Sequence, residues 1–510
     1  MEDINEQTSM TVQAAWLLGA RILAFLFSFS LPLLLVRRLS QHEFGIYKQV
    51  FLVVGTAITT LPLGFGMSAF YFLPRERERR GHIVFNIVLF QLIIGSLACI
   101  ALFLYPQLFV AVFRSDELTE YAPFIGLIIL LWIVAAFLEV VVIANQEPKL
   151  ATVLIVISQF TKALLLLIAA VLFGSVWALI YAALIQGVLQ TGILLLYLRS
   201  RFGNFWQDFS WRLMHKQLSY ALPLGFAALL FRVHSDLHNY FVSYRFGAAA
   251  YAIYAIGCFN FLLVDMLGEA VGSVMIPRVS YLESVGRRRE IIELTCRMIR
   301  KLAAIILPLF AFLLVTGREV ISVLFTAQYL NSWPIFVVNL MMIPLALLAT
   351  ATDPIIRAYA EHRYFLLKMR TLLLPLLFLA LYFFTARFGL VGAITGVVGV
   401  TLIERSATAI KTATIVGAKF TDLALLKDTA KLAVAAVASG LLIAVLRLAL
   451  TGFRPIVILM TCGLLFSLSY LGVILYLRVP SNEERDAVQE RLNSVWYLLW
   501  KRSPVHLPEN

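Results

Sequence analysis

Long apolar segments follow one another along almost the whole of this 510-residue chain, and they restrict its fold more than any other feature. About fourteen of them can cross a bilayer, since a spanning helix needs roughly 20 apolar residues. Backbone groups in lipid must be hydrogen-bonded within their own segment, so the segments are predicted to be helices. The approximate limits of these spans, numbered 1 to 14 along the chain, are 12–36, 48–73, 83–105, 122–145, 150–173, 176–198, 218–243, 251–276, 301–317, 334–358, 371–386, 390–410, 430–449 and 456–477, the eleventh being short unless it begins near Tyr364.

The composition fits a membrane protein with many spans. Hydrophobic residues make up 61% of the chain and charged residues 14%, and the mean hydropathy is +0.88. A soluble domain has about 25% charged residues. These values exclude a soluble enzyme, a disordered chain and a nucleic-acid-binding domain. The net charge of +13 is therefore interpreted as the basic cytoplasmic face of a protein whose partner is the lipid bilayer.

Lysine and arginine in the loops predict the orientation. The N-terminal residues MEDINEQTSM are acidic and lack the basic region of a secretory signal, so the first apolar segment is expected to remain as a span. With this end in the cytoplasm, loops on that side carry 29 of the 42 basic residues, and the other side carries 9. Both termini are therefore predicted to be cytoplasmic. The basic clusters Arg75–Arg80 and Gly286–Glu290 are interpreted as topology anchors, with binding of anionic lipid headgroups as the alternative.

The chain contains an internal repeat. Residues Arg38–Tyr47 line up with Arg245–Tyr254 at an offset of 207, and Phe173–Leu179 line up with Phe388–Ile394 at an offset of 215. Six spans restore the starting orientation, so the two halves are predicted to be parallel repeats. Two such bundles imply rocking about a central cavity, and therefore transport by alternating access.

The predicted fold class is an all-α polytopic membrane protein of two six-helix repeats and two C-terminal helices. The predicted regions are a cytoplasmic N-tail (1–11), an N-lobe of spans 1–6 (12–198), a cytoplasmic linker (199–217), a C-lobe of spans 7–12 (218–410) with an amphipathic cytoplasmic segment (277–300), spans 13 and 14 (430–477) and an amphipathic cytoplasmic C-tail (478–510).

Three cations lie well inside predicted spans, away from their ends: Arg21, Lys162 and Arg232. A charge at the centre of a membrane helix costs about 2.5–3.5 kcal/mol on insertion scales, and such residues usually face a pathway. Arg232 and Asp236 are four residues apart and can form an ion pair that either serves function or only lowers the cost of insertion. Arg21 and Lys162 have no partner on their own helix, so each needs an anion from another helix or from a substrate. All three are therefore predicted to bind substrate.

Four acidic residues in spans 4, 7 and 8 are predicted to couple transport to an ion: Glu139, Asp236, Asp265 and Glu269. Asp265 and Glu269 are four residues apart on one helix, so in a low dielectric one of them tends to stay protonated. This suits a proton site or two ligands for Na⁺. The alternative is that Glu269 simply reaches the cytoplasmic interface.

Other polar residues in the spans receive structural interpretations. His234 and His238 share a helix face but lack a third ligand, so a hydrogen-bonded pair and no metal site is predicted. Glu404 and Arg405 diverge by about 100° around a helix, so at least one is expected to extend to the interface. Pro223 lies two residues before Gly225 and is either a hinge of span 7 or a packing feature.

Motifs for catalysis are absent from the sequence. No Gly-Lys pair occurs, so the chain has no P-loop for nucleotide hydrolysis, and no G-x-S-x-G or H-E-x-x-H motif occurs. We therefore expect a transporter without cofactors rather than an enzyme.

Several segments together resemble the multidrug/oligosaccharidyl-lipid/polysaccharide (MOP) exporter superfamily, and within it the Wzx-type polysaccharide flippases. These segments are RRLSQHEFGIY (Arg37–Tyr47), LSYALPLGFAALL (Leu218–Leu230) with Asp236 downstream, the Tyr251–Tyr254 entry to span 8, and LFTAQYLNSWP (Leu324–Pro334). The resemblance extends over nearly the whole chain and depends on the order and spacing of these motifs.

The resemblance implies two six-helix lobes in a V shape, with spans 13 and 14 available to hold a lipid tail. It implies that the protein moves an undecaprenyl-pyrophosphate-linked oligosaccharide, for O-antigen, capsule or exopolysaccharide, across the bacterial cytoplasmic membrane. A polymerase and a chain-length regulator are the implied partners. Arg21, Lys162 and Arg232 suit the cationic cavity of such flippases, whereas the acidic residues of spans 4 and 8 depart from it.

Three alternatives remain from the sequence. A cation-coupled antiporter of small organic cations, similar to multidrug (MATE) transporters, would use the acidic residues. Lipid II or another cell-wall precursor is a different cargo for the same mechanism. A membrane enzyme or an assembly scaffold would not depend on charges in the cavity.

Overall fold

The computed structural model describes residues 19, 29–207, 209–259, 261–362 and 364–479, with the backbone alone described at positions 77, 262, 263 and 265. Within these ranges the chain is helical and contains no β-strand. Residues 29–35 are helical, and the α-helices that follow are α1 (Gln41–Thr60), α2 (Ser68–Arg75), α3 (Arg80–Leu104), α4 (Leu108–Phe113), α5 (Glu117–Ala135), α6 (Phe137–Ala144), α7 (Pro148–Leu172), α8 (Val176–Phe202), α9 (Trp211–Gly257), α10 (Leu262–Ser284), α11 (Arg288–Phe325), α12 (Trp333–Asn339), α13 (Met342–Ala358), α14 (Phe365–Val416), α15 (Lys427–Ala449) and α16 (Pro455–Tyr476).

Ten helical stretches among the described residues are long and apolar enough to cross a membrane. The count becomes eleven when Gln41–Thr60 and Phe65–Arg75, which are bent by 42°, are taken as one span. The all-α polytopic fold class is therefore confirmed, and the number fourteen is compatible with the structure but stays a prediction. The eleventh predicted span begins near Tyr364 as its length required, since α14 starts at Phe365.

Two glycines interrupt the longest helices. Gly247 in α9 has φ = 77° and Gly389 in α14 has φ = 59°, a conformation that favours glycine. In the internal repeat, each of these glycines is equivalent to a residue just before the start of a helix in the first half of the chain. Gly247 matches Ser40, which caps α1 through its hydroxyl, and Gly389 matches Gly174, which also has a positive φ of 55°. The backbone thus supports the repeat that the sequence predicts.

The segment 277–300 does not form a helix of its own, contrary to the predicted amphipathic segment. α10 continues to Ser284, and α11 begins at Arg288 and continues into the predicted ninth span. The break lies at Gly286, whose φ of 72° ends the preceding helix. The C-tail 478–510 lies outside the described residues apart from positions 478 and 479, as does the N-tail 1–11.

By contacts between residues, the chain divides into two compact units. The larger unit comprises Met1–Asn260, Leu324–Asn339 and Tyr364–Glu404, and the smaller unit comprises Phe261–Val323, Leu340–Arg363 and Arg405–Asn510. The chain passes from one unit to the other inside the predicted spans 8, 10 and 12. The division into an N-lobe and a C-lobe therefore stays a prediction.

A buried apolar cluster joins helices of both predicted lobes within the larger unit. It includes Ile46 and Val50 of α1, Ile125 of α5, Val242 of α9 and Leu377 of α14. Because α1 belongs to the predicted N-lobe and α9 to the predicted C-lobe, their contact positions the charged residues described below.

In the smaller unit, α15 and α16 pack along α11 at several levels. The Tyr470 hydroxyl donates to the Ala304 carbonyl oxygen at 3.2 Å, and the rings of Phe312 and Phe466 lie 5.5 Å apart. Farther along, both Nε and Nη2 of Arg447 donate to Oε1 of Glu319 at 2.9 and 2.8 Å. The two C-terminal helices are thus attached to α11 by polar and apolar contacts together.

Candidate functional site

Arg232 and Asp236 form the ion pair that their four-residue spacing predicts. Arg232 Nε lies 2.6 Å from Asp236 Oδ2, and Thr56 of α1 donates its hydroxyl to the same oxygen at 3.0 Å. The Asp236 side chain is 10% exposed and that of Arg232 is 34% exposed. The carboxylate is therefore enclosed between two helices, whereas the guanidinium extends out of the contact.

Gly55 makes room for the Arg232 side chain. A Cβ atom at this position would lie 3.3 Å from Arg232 Nη2, so the guanidinium rests against bare backbone of α1. Gly55 and Thr56 are adjacent, and together they hold the ion pair from the opposite helix. This role of a glycine is not visible in the sequence, where Gly55 is one of several glycines in apolar segments.

Close contacts between α1 and α9 continue on both sides of the ion pair. Gln49 donates to Ser243 at 2.6 Å, and both side chains are buried. Toward the other end, a Cβ atom on Gly225 would lie 2.0 Å from the Leu63 carbonyl oxygen. Gly225 follows two residues after Pro223, the predicted hinge or packing feature, and its lack of a side chain permits this backbone contact.

Lys162 lies near the same part of α1. Its Nζ is 4.2 Å from the centre of the Trp132 ring, which in turn lies 6.0 Å from the ring of Phe51. Among the described residues, no carboxylate is within 4.0 Å of Lys162. Phe51 and Gly55 are four residues apart, about 6 Å along the helix. Trp132 and Phe51 thus connect Lys162 to α1 about one helical turn from Gly55, which Arg232 contacts.

A third cation, which lies on α1 itself, was not predicted from the sequence. Lys48 Nζ lies 5.5 Å from the ring centre of Phe44, on the helix that also carries Gly55. Positions 48 and 55 are seven residues apart and share a helix face. Lys48 is the first residue of the predicted second span, so its position at the limit of the span gives no indication of a site.

The remaining predicted site residues are not all described. Arg21 lies outside the described residues, and the side chain of Asp265 is also not described. Glu139 of α6 is exposed, and within the described ranges no basic side chain forms an ion pair with it. Its role, like that of Arg21 and Asp265, stays a prediction.

Glu269 borders a cavity of about 380 Å³ in the smaller unit. The walls come from α10 and α13 and include two other charged residues, Asp353 and Arg357. A carboxylate and a guanidinium on different helices make this cavity suitable for a small polar or charged molecule. Glu269 is exposed, and no ion pair joins it to another described residue.

Glu404 and Arg405 both have ionic partners inside their own unit, so the expectation that one of them extends to the interface is wrong. Arg370 Nε donates to Glu404 at 3.0 Å, and Arg405 donates to Asp353 at 3.0 Å. All four side chains are at most 16% exposed. The partners are 34 and 52 residues away in sequence, so spacing on one helix gave no sign of them.

The two histidines of α9 serve different partners. His238 Nδ1 lies 2.8 Å from the Tyr254 hydroxyl, and His234 Nε2 lies 3.9 Å from Glu404. Among the residues that the structure describes, no group of three side chains could hold a metal ion. The predicted histidine pair is therefore replaced by two separate contacts.

Two of the sequence motifs contact each other in the larger unit. Arg37 donates to the Leu324 carbonyl oxygen at 2.9 Å, and Gln41 donates to the Gln328 carbonyl oxygen at 2.7 Å. Gln328 in turn donates to the Val36 carbonyl oxygen at 2.8 Å. We call this set of contacts the loop clasp. It joins the first loop of the predicted N-lobe to the loop that precedes the tenth span in the predicted C-lobe.

A sequence comparison places the chain in a family. The model of a family described as "Polysaccharide biosynthesis protein" matches residues 34–334, more than half of the chain. The chain belongs to the polysaccharide biosynthesis protein family. The matched region contains Lys162, Arg232 and Asp236 as well as both segments of the loop clasp. None of the curated proteins compared with the chain matches it significantly in sequence.

Solved structures show which fold this member of the polysaccharide biosynthesis protein family has. The lipid II flippase MurJ in an inward closed conformation aligns with a TM-score of 0.66 and 14% identity, over 90% of this chain and 99% of that chain. An inward-facing multidrug resistance MATE family transporter of the MOP superfamily aligns with a TM-score of 0.64 and 16% identity, over 78% and 95% of the two chains. A MOP superfamily transporter from Pyrococcus furiosus gives 0.52 and 16%, over 80% and 95%.

At these identities the alignments show a shared fold. The predicted resemblance to the MOP superfamily is confirmed for the fold, and the family match is to polysaccharide biosynthesis proteins. This member of the polysaccharide biosynthesis protein family is thus a multi-pass membrane protein with the fold of MOP transporters.

Proposed function

We propose that the protein is a flippase for an undecaprenyl-pyrophosphate-linked oligosaccharide of O-antigen, capsule or exopolysaccharide. It would move this lipid across the bacterial cytoplasmic membrane by alternating access, with both termini in the cytoplasm. The family match to polysaccharide biosynthesis and the fold shared with MurJ and MATE transporters support a transporter of this kind. A polymerase and a chain-length regulator are its proposed partners.

The observation that carries the proposal is that Lys162 and Arg232 are both connected to α1 within about one turn of that helix. Arg232 contacts Gly55, and Trp132 links Lys162 to Phe51 of the same helix. Asp236 is the one carboxylate paired at this point in the described part of the chain, so positive charge is in excess. A buried cation without a fixed anion favours an anionic substrate, and arginine and lysine bind diphosphates through charge-assisted hydrogen bonds.

A second candidate function is a cation-coupled antiporter of small organic cations, like the MATE transporters. It is favoured by Glu269, an exposed carboxylate at the edge of a cavity of about 380 Å³. Under this alternative, carboxylates would matter more than Arg232 and Lys162.

The proposal is tested in a strain that lacks the protein. We expect loss of surface polysaccharide and accumulation of the lipid-linked repeat unit on the cytoplasmic side, and normal polysaccharide in that strain would contradict it. Increased sensitivity to cationic dyes with unchanged polysaccharide would favour the antiporter. Lysis of cells upon depletion would point to lipid II or another cell-wall precursor as cargo.

Complementation by variants then tests the site. Arg232→Gln and Lys162→Gln should each fail to restore polysaccharide although the protein reaches the membrane. Each removes charge-assisted hydrogen bonds worth about 1.5–3 kcal/mol, equivalent to roughly 10–150-fold in binding. Arg318→Gln removes an exposed guanidinium from α11 and serves as the matched control, which should restore polysaccharide fully.

A further inference from the structure

One carboxylate oxygen of Asp236 serves two partners at once. Asp236 Oδ2 accepts the Thr56 hydroxyl at 3.0 Å and lies 2.6 Å from Arg232 Nε. Removing the negative charge from this oxygen would weaken the hold on Arg232 more than the contact with Thr56, since a hydroxyl can reverse its hydrogen bond and a guanidinium can only donate.

Among the described groups that interact with Asp236, the one other charge is that of Arg232. Arg232 and Tyr240 face it from α9, Thr56 faces it from α1, and Tyr251 faces it from the helical segment after Gly247. Tyrosine and threonine are neutral at ordinary pH. Within this described group of residues, the charged members are Asp236 and Arg232.

While the pair is intact, an anionic substrate must compete with Asp236 for the guanidinium. Arg232 is already prepared for such an exchange, because 34% of its side chain is exposed and its Nη2 lies against the bare backbone of Gly55. Its Nε faces the buried carboxylate. The terminal nitrogens are thus the part of the guanidinium that a phosphate can reach first.

We propose that a small monovalent cation binding at Asp236, either a proton or Na⁺, releases Arg232 to the anionic diphosphate of the substrate. This inference rests on the proposed function and specifies how the ion and the substrate are coupled. Because coupling between two ligands is reciprocal, the diphosphate must also strengthen binding of the cation. Thr56 acts as a positioning residue that holds Asp236 Oδ2 toward Arg232 from α1.

The experiment measures binding of farnesyl diphosphate to the purified full-length protein in lipid nanodiscs. One series varies pH from 5.5 to 8.5 without Na⁺, and another varies Na⁺ at fixed pH with potassium keeping the ionic strength constant. We expect the wild-type affinity to rise by about 5–150-fold along one of the two series, as is typical of coupled sites. The series that responds identifies the cation.

Variants separate the competing explanations. Asp236→Asn should bind the probe tightly with no dependence on pH or Na⁺, whereas Arg232→Gln should bind weakly under all conditions. Thr56→Val should keep the dependence but move its midpoint to higher pH or lower Na⁺, since the carboxylate loses a donor that stabilises its charge. Glu361→Gln, which removes an exposed carboxylate from the loop before α14, should behave as wild type.

Two results would overturn the inference while leaving the proposed function intact: tight wild-type binding that neither pH nor Na⁺ changes, or unchanged dependence in Asp236→Asn. If Asp236→Asn fails to fold, the midpoint shift in Thr56→Val decides, and its absence contradicts the inference. Wild-type protein that binds the probe under no condition would contradict the proposed function as well.

Discussion

The helix α9 (Trp211–Gly257) lies beside two ion pairs, one of its own and one on α14, and the two pairs are built differently. On the face toward α1, Arg232 is paired with Asp236 and is 34% exposed. On the face toward α14, Glu404 is 3% exposed and its partner Arg370 is 16% exposed, with the guanidinium 4.8 Å from the ring centre of Phe231.

The two contacts differ in which of their charges are enclosed, and this decides whether the charges can be separated. The α14 side encloses both charges, so separating them would leave a buried ion without compensation. The α1 side encloses only the carboxylate, so its cation can exchange partners at small cost. The α1 contact also joins the two predicted lobes, whereas α9 and α14 belong to the same predicted lobe. We therefore expect the α1 side to change during transport and the α14 side to stay closed.

The largest effect is expected from locking the α1 side through the loop clasp. In a protein whose four native cysteines are replaced by serine, Gln41→Cys together with Gln328→Cys should allow a disulfide between the predicted lobes. Export of polysaccharide should stop under oxidising conditions and return with reductant, because the loops of the two lobes can no longer separate.

The matched control uses the neighbouring residue. His42 pairs with Glu117 at 2.8 Å, and both belong to the predicted N-lobe. The double variant His42→Cys and Glu117→Cys should therefore remain active when oxidised. Full export by the cross-linked Gln41 and Gln328 variant would show that the clasp does not open.

The next largest effect is expected from breaking the enclosed pair on the α14 side. Glu404→Gln should destabilise the protein by about 3–5 kcal/mol, the usual cost of leaving a buried charge alone. Asp236→Asn should cost clearly less, because Arg232 can reach water. Unfolding curves of both variants in the same detergent would check this order, and equal losses would remove the distinction between the two faces.

A smaller loss of stability is expected from disturbing the backbone contact at Gly225, beside the Arg232–Asp236 ion pair. Gly225→Ala places a Cβ atom 2.0 Å from the Leu63 carbonyl oxygen, so α9 and the turn after α1 must move apart at a cost of about 1–3 kcal/mol. Gly192→Ala is the control, since a Cβ atom there meets no other atom within 4 Å. A thermal shift that is the same for both variants would argue against a tight contact at Gly225.

The smallest effect is expected from an ion pair with one exposed partner. Arg289 donates to Asp422, and its side chain is 59% exposed, in contrast to the pair on α9 and the pair on α14. Exposed pairs contribute little, and salt screens them within about 10 Å at 0.1 M and 3 Å at 1 M. Arg289→Gln should lower the melting temperature slightly at low salt and not at high salt, and a large loss at high salt would contradict this.

The sequence predicted features that depend on local spacing. The Arg232–Asp236 pair follows from four residues on one helix, and the glycines at 174 and 389 follow from the internal repeat. Apolar length predicted the membrane helices, because the hydrocarbon core imposes one requirement on every span.

Features that depend on contact between distant helices were not predicted. Arg370 precedes the predicted eleventh span, and at least one of Glu404 and Arg405 was expected to extend to the interface, yet Arg370 and Glu404 are joined at 3.0 Å. The role of Gly55 likewise depends on a side chain that is 177 positions away. Both contacts arise from the packing of α1 against α9 and of α9 against α14, and the order of residues alone does not indicate that packing.

The cation over Trp132 gives the protein an optical reporter. Indole emission responds to a charge held close to the ring, and Lys162 Nζ lies 4.2 Å from the ring centre. An anion that draws the lysine away would alter the fluorescence of this tryptophan. In a variant that keeps Trp132 as its single tryptophan, substrate binding would therefore change the emission intensity. The change could be followed in real time without a label on the lipid.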